Sequence, residues 1–241
     1  MTQFARNSLV AWTTIALLIA SGASFGADGV TIKKNPPTSE TKVFDPSNPP
    51  PEKKDAAPNH PAFTWCNYTA HWQMRYGEEK QISADHRSTT VRLTITSFDV
   101  TLDLHSTIWL PPGIAQFVVE HERGHRQIGE RSYGKAESIA ADLAQDLVLG
   151  RSFEATSGDA QAAEQAARDK AGNAFLAAYL KSIRDPAQRV HQIYDEITNH
   201  GLNRSIAVDD AVQAAIERYR AERQAKRSAS PAAPTTAASA S

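Results

Sequence analysis

The sequence predicts an α+β fold, in which a small antiparallel sheet is followed by a mainly helical half. Apolar and polar residues alternate within residues 64–110, which indicates strands because successive strand side chains point to opposite faces. Within residues 114–223 the apolar residues recur at helical spacing instead. Stretches rich in Pro, Lys, Ala and Ser flank this region on both sides and have little to bury.

The first 27 residues have the features of a secretory signal peptide. Arg6 supplies a positive start, residues 8–20 are mostly apolar, and small residues follow up to Ala27. The apolar run is too short to cross a bilayer comfortably, which favours a cleaved peptide over an anchor. Cleavage after Ala23 and cleavage after Gly26 both fit. We therefore expect a secreted or periplasmic protein with no membrane span after signal removal.

The next segment, residues 28–61, is predicted to be a disordered linker rich in Pro and Lys. Pro36 and Pro37, and the three prolines at 49–51, are incompatible with helix and with regular sheet. Few apolar residues here could be buried in a core. Order is therefore expected to begin near Phe63.

The strand region falls into two parts. Aromatic residues within 64–76 suit a strand pair or a strand and turn, and residues 77–80 are predicted to form a polar turn. Residues 91–95 alternate strictly, but after Ser97 the apolar positions change phase. This change indicates a bulge or bend in one long strand, or two strands. Pro111 and Pro112 should end the strand region.

Helices are predicted to account for the rest of the folded region. The first run covers residues 114–149, with a bend where Gly124, Gly129 and Gly134 fall. Three further helices are predicted at residues 160–180, 186–198 and 207–223. The last segment, residues 224–241, is predicted to be a disordered tail of Ala, Ser and Pro.

The first helix contains a motif with a chemical meaning, His-Glu-Arg-Gly-His at residues 121–125. Helical residues four apart share a face, so the imidazoles of His121 and His125 project into the same space. Two imidazoles placed in this way can hold one zinc ion, and Glu122 can act as general base on a zinc-bound water. The sequence thus predicts a zinc centre on this helix.

A catalytic zinc usually has three protein ligands, so another element should supply one more. Nearby acidic residues such as Glu130 face away from the two histidines on a continuous helix. His200 is the first choice, since it continues the apolar stripe of the third helix. A role for His200 as the C-terminal cap of that helix fits the sequence equally well. Asp195 and His191 are the rivals, on a different face of the same helix.

A second motif lies downstream, Tyr194-Asp195-x-x-Thr198-x-His200-Gly201. Together the two motifs resemble a bacterial family described as predicted secreted zinc-dependent proteases, a domain of otherwise unknown function. The resemblance covers residues 64–223 and implies a zincin-like metallopeptidase domain at residues 62–223. It implies His121, His125 and His200 as zinc ligands, Glu122 as base, and supporting roles for Tyr194, Asp195 and Thr198. Family members often carry paired cysteines, whereas this chain has only Cys66, which excludes an intrachain disulfide.

We therefore expect an exported zinc metallopeptidase that hydrolyses peptide bonds with a zinc-activated water. Tyr194 is a candidate donor to the developing oxyanion, although a Tyr on an apolar stripe is more often part of a core. The expected partners are peptides or proteins, cell-wall peptides among them. The 26 basic and 27 acidic residues are interspersed, which argues against nucleic-acid binding. The alternative is an exported zinc-binding structural or binding module without activity, in which Glu122 has no special role.

Overall fold

The computed structural model describes residues 29–55 and 61–229. The predicted signal peptide and the end of the predicted tail, residues 230–241, lie outside this part of the chain. The elements are β1 (Val30–Lys34), β2 (Thr38–Val43), a short 3₁₀ helix (Pro51–Asp55), β3 (Phe63–Ile82), β4 (Thr89–Leu110), α1 (Gln116–Tyr133), α2 (Ala136–Leu147), β5 (Ser152–Ser157), α3 (Ala160–Thr198) and α4 (Val208–Ala229). The predicted α+β class is therefore confirmed.

The sheet is built around β4, which pairs with every other strand. Along one edge β4 pairs with β3, antiparallel, from Phe63 opposite Trp109 to Ile82 opposite Thr89. Since β3 occupies that whole edge, the remaining strands lie end to end along the other edge. There β5 is antiparallel, while β1 and β2 are parallel to β4. The sheet is therefore mixed, and the prediction of a small antiparallel sheet is wrong.

The two parallel strands come from the segment predicted to be a disordered linker, so that prediction is wrong for residues 30–43. The prolines that suggested a linker fall in the connections that follow β1 and β2 and leave the short strands free to pair. Phe44, just after β2, is buried against Phe63 and Trp109. The folded unit therefore begins well before residue 62, and Asp28 and residues 56–60 lie outside the description.

The long strands explain the change of phase seen in the sequence. Arg75 is opposite Ser97 and Tyr76 is opposite Ile95, so Thr96 is an extra residue in β4. Val91, Leu93 and Ile95 are buried before this bulge, and Phe98, Val100, Leu102 and Leu104 are buried after it. The predicted bulge in one long strand is confirmed. The predicted polar turn at residues 77–80 is wrong, because β3 continues through it to Ile82.

The helices differ from prediction in three places. α1 ends at Tyr133 and α2 begins at Ala136, so the break falls at the last of the three predicted glycine positions, Gly134. The two helices predicted around residues 160–198 are one helix, α3, which runs through Pro186. α4 extends to Ala229, past the predicted start of the tail. β5 was not predicted at all.

Helices α1, α2 and α3 cover the sheet and bury one large apolar core. A second apolar cluster joins α1, α3 and α4 around Ile128, Ile193 and Val212. In this arrangement α1 lies between the start of β3 and the second half of α3. The candidate site lies among these three elements. No helix in residues 29–55 and 61–229 is long and apolar enough to cross a membrane.

Candidate metal centre

Helix α1 brings the first motif to the inside of the fold. His121 and Glu122 are buried, and only about an eighth of the His125 side chain is exposed (12%). The Nε2 atoms of His121 and His125 are 3.2 Å apart. The i, i+4 spacing therefore does bring the two imidazole nitrogens together, as the sequence predicted.

Helix α3 adds a carboxylate to this pair. The Oδ1 atom of Asp195 lies 3.2 Å from Nε2 of His121 and 3.0 Å from Nε2 of His125. Atoms bound to one transition-metal ion at about 2.0–2.2 Å are about 2.8–3.1 Å from one another in octahedral geometry and about 3.3–3.6 Å in tetrahedral geometry. These three side chains form a group that could hold a metal ion.

The chemistry of the three groups fits a divalent cation. Asp195 Oδ1 is buried, and within the described residues it accepts no hydrogen bond of good geometry despite the two nearby rings. Burial disfavours the charged form of Asp195, but His121 and His125 outweigh it and hold the pKa of its carboxyl far below the usual range. Burial likewise opposes protonation of His125, but Asp195 and Glu122 raise its pKa. A metal ion would replace the proton that these groups attract.

Both histidines have a partner for the ring nitrogen that faces away from Asp195. His125 Nδ1 lies 2.8 Å from Nδ1 of His191. Burial and the neighbouring His125 lower the pKa of His191 to about 3, so His191 is neutral and its Nδ1 can accept a hydrogen bond from the N–H at Nδ1 of His125. His121 Nδ1 lies 3.4 Å from Oγ1 of Thr198, which donates to the carbonyl oxygen of Tyr194. Such contacts fix the tautomer that leaves Nε2 free for a metal.

Tyr194 packs inside the site and does not line the cleft. Its ring stacks on His121, with centroids 5.0 Å apart, and meets His125 edge-on at the same distance. Its hydroxyl is buried and donates to the carbonyl oxygen of His121. This geometry favours a role in positioning the histidines over the expected donation to an oxyanion.

Glu122 is held in place by Thr64 at the start of β3. The Thr64 hydroxyl lies 2.8 Å from Oε2 and 2.9 Å from the backbone oxygen of Glu122. The carboxylate is buried but lines the same cleft as His125 and Asp195. A carboxylate in this position can exchange protons with a molecule in the cleft.

The cleft has a volume of about 400 Å³ and lies between β3, α1 and α3. One wall consists of residues 62–66 and Tyr68. The opposite wall is a stripe of α3 with helical spacing, Arg184, Gln188, His191 and Asp195. The candidate metal group is thus open to a binding site of small-molecule or peptide size.

The structure distinguishes His200 from Asp195, two of the three residues considered for the third ligand. His200 Nδ1 is 3.8 Å from Asp195 Oδ1, and His200 does not belong to the converging group. Its side chain is 56% exposed, because α3 ends at Thr198 and the next three residues adopt left-handed backbone angles. The structure therefore favours Asp195, one of the two rivals in the sequence prediction.

Two contacts around the site were not predicted. His191 was considered only as a ligand, and its actual contact is with the outer nitrogen of His125. Its spacing of four residues from Asp195 was the available signal. Thr64 carries no signal in the sequence, because its contact with Glu122 depends on how α1 packs on β3.

Comparisons of the chain with protein-family models, curated proteins and solved structures found no match. The resemblance to a secreted zinc-dependent protease family therefore remains a prediction from the two motifs. The geometry of the site carries the argument for function.

Proposed function

We propose that this protein is an exported zinc-dependent metallopeptidase. The observation that carries the proposal is the convergence of His121, His125 and Asp195 beside the carboxylate of Glu122 in an open cleft. Two imidazoles and one carboxylate form a known ligand set of catalytic zinc. The same set suits iron(II) in oxygenases, but the buried Glu122 next to the group favours hydrolysis with a carboxylate base.

The number of ligands favours catalysis over a structural role. Structural zinc sites are usually closed by four protein ligands, whereas catalytic sites have three and leave a position for water or substrate. Among residues 29–55 and 61–229, three side chains converge here, and two of them line a cleft of about 400 Å³. This supports the enzyme over an exported zinc-binding structural or binding module.

Glu122 is the residue to which we assign proton transfer. Zinc, when bound, would supply a Lewis acid that polarises the scissile carbonyl and lowers the pKa of a water. Glu122 takes the proton of the attacking water and passes it to the leaving amine. Thr64 orients the Glu122 carboxylate, and Tyr194 holds the ring of His121 by stacking and by its hydrogen bond to the His121 carbonyl oxygen.

The wall formed by β3 supports an extended peptide as substrate. Consecutive residues of a strand point to opposite faces, so a cleft lined by the consecutive residues 62–66 borders the edge of the strand. Within the described residues no strand pairs with that edge of β3. Backbone N–H and C=O groups of an open edge can pair with an extended peptide.

The test compares the wild type with Glu122→Gln on a mixed proteome digest, with equal zinc loading confirmed. The variant preserves shape but removes the base, which typically costs about 10²–10⁴ in rate. We expect new, zinc-dependent peptide termini with the wild type and at least a hundredfold fewer with Glu122→Gln. Glu120→Gln is the matched control on the same helix, because Glu120 is exposed and does not line the cleft. If both zinc-loaded proteins cut neither peptides nor isolated cell wall, the binding module becomes the better account.

A further inference from the structure

A second cavity, of about 750 Å³, lies on another side of α3 and shares no lining residue with the cleft. Its walls come from the end of α1, the start of α2, the middle of α3 and one stripe of α4. Five of its lining residues are cationic and none is acidic; the five are Arg131, Lys135, Arg220, Arg223 and Arg227. In a chain with a formal net charge of −1, this is a strong local excess of positive charge.

The charges of this cavity are not compensated by neighbouring carboxylates. Within residues 29–55 and 61–229, none of the five cations forms an ion pair; Arg131 donates to the amide oxygen of Gln213 instead. The acidic residue Glu222 of α4 is engaged with Arg189 and Arg218 on a neighbouring face. The positive side chains at the cavity are therefore available to an anion.

The floor of the cavity is apolar. Ile183 and Val190 of α3 are buried there, and Ile139 of α2 and Ile216 of α4 complete the surface. A volume of about 750 Å³ lies within the range of small-molecule sites, about 300–1,000 Å³, and is small for a helix of a partner protein. An apolar floor below a cationic rim complements a molecule with a hydrocarbon body and an acidic head group.

We propose that this cavity, the basic cavity, binds an amphiphilic anion, such as an alkyl chain with a phosphate or carboxylate group. The chain packs on Ile139, Ile183 and Ile216, and Arg220 and Arg223 bind the head group. Arginine suits this role because its planar guanidinium donates two parallel hydrogen bonds to such oxygens. This function is separate from peptide hydrolysis and requires no metal.

Isothermal titration calorimetry of the purified protein with monomeric octyl phosphate tests the proposal. Octyl glucoside, inorganic phosphate and octyltrimethylammonium are the comparison ligands, and each lacks either the anion or the chain. We expect saturable binding of one octyl phosphate per chain and at least tenfold weaker binding of all three comparison ligands. If octyl glucoside or octyltrimethylammonium bound as tightly as octyl phosphate, the proposed role of the cations would be overturned. If inorganic phosphate bound as tightly as octyl phosphate, the proposed role of the apolar floor would be overturned.

Two variants of α4 test whether octyl phosphate binds in the basic cavity. The double variant Arg220→Gln/Arg223→Gln should bind octyl phosphate at least tenfold more weakly, and Lys226→Gln should stay within twofold of the wild type. Lys226 is an exposed cation of the same helix that does not line the cavity. An equal loss in both variants, or a loss in neither, would overturn the assignment. Thermal unfolding of both variants, whose substitutions are at exposed positions, checks that they are folded.

Vesicles distinguish the source of the anion. Co-sedimentation with phosphatidylglycerol vesicles, in addition to octyl phosphate binding, would indicate a membrane lipid, whereas octyl phosphate binding alone would indicate a free amphiphile. Binding to the vesicles without binding to monomeric octyl phosphate would mean adsorption to a charged surface and would overturn the cavity proposal.

Discussion

Gly124 of α1 lies directly against the hydroxyl of Tyr194 of α3. A side chain at residue 124 would overlap the Tyr194 ring and hydroxyl, so the two helices can approach this closely only because residue 124 is Gly. The close approach lets Tyr194 stack on His121 and contact the edge of His125. The position of both histidines therefore depends on a residue that has no side chain.

The first prediction concerns this contact. Gly124→Ala should destabilise the protein by about 1–3 kcal/mol, because the added methyl group overpacks the interface, although Ala favours helix by about 1 kcal/mol over Gly. Urea unfolding followed by circular dichroism measures the change. The double variant Gly124→Ala/Tyr194→Leu should be less destabilised than the sum of its single variants. Additive effects would contradict a direct contact.

The second prediction concerns His191. His191→Phe preserves the ring but removes the acceptor for His125 Nδ1, so zinc affinity should fall by about 10–100-fold. Competition with a fluorescent chelator gives the affinity. His71→Phe, at an exposed position of β3, is the matched control and should leave the affinity unchanged. Unchanged affinity of His191→Phe would remove His191 from the site.

The third prediction concerns Cys66, which lines the cleft 3.5 Å from the Ser106 hydroxyl. Burial raises the pKa of its thiol to about 11. At pH 8 its thiolate fraction should be about 200-fold lower than that of an ordinary cysteine with a pKa of about 8.5. Iodoacetamide should therefore label the native protein slowly and the urea-unfolded protein fast. Equal rates at pH 8 would contradict the shifted pKa.

The fourth prediction concerns Arg184, the only Lys or Arg among the described residues that line the cleft. Arg184 precedes Asp195 by eleven residues, or about 16 Å along α3. An extended peptide covers about 3.3–3.6 Å per residue, so Arg184 should contact a substrate side chain about four or five residues from the cut bond. Arg184→Glu should reduce cleavage of peptides with Asp or Glu there by about fivefold relative to Lys peptides. Lys181→Glu, outside the cleft, should leave the preference unchanged.

The sequence was sufficient to predict features that depend on the spacing of residues within one helix or one strand. The HExxH spacing brought His121 and His125 together, and the change of phase after Ser97 marked a real bulge at Thr96. Both features depend on the period of a single element, so they can be read without knowledge of distant contacts.

Long-range contacts account for the errors. Val30 and Ile32 looked like part of a linker because their partners lie about 70 residues away in β4. Pro186 looked like a helix start, but α3 continues through it because apolar residues on both sides, Ile183 and Val190, are buried. His200 was preferred over Asp195 because the left-handed residues that end α3 are not evident from the apolar stripe.

The central claim is that His121, His125 and Asp195 bind zinc, and metal content tests it most directly. Wild type, Asp195→Ala and His200→Ala would be purified with a small excess of zinc, dialysed together against one zinc-free buffer and assayed by mass spectrometry, with folding checked by circular dichroism. The account predicts one zinc per chain for the wild type and His200→Ala, since three ligands remain, and loss of zinc from Asp195→Ala. Full zinc in Asp195→Ala together with its loss from His200→Ala would contradict the account.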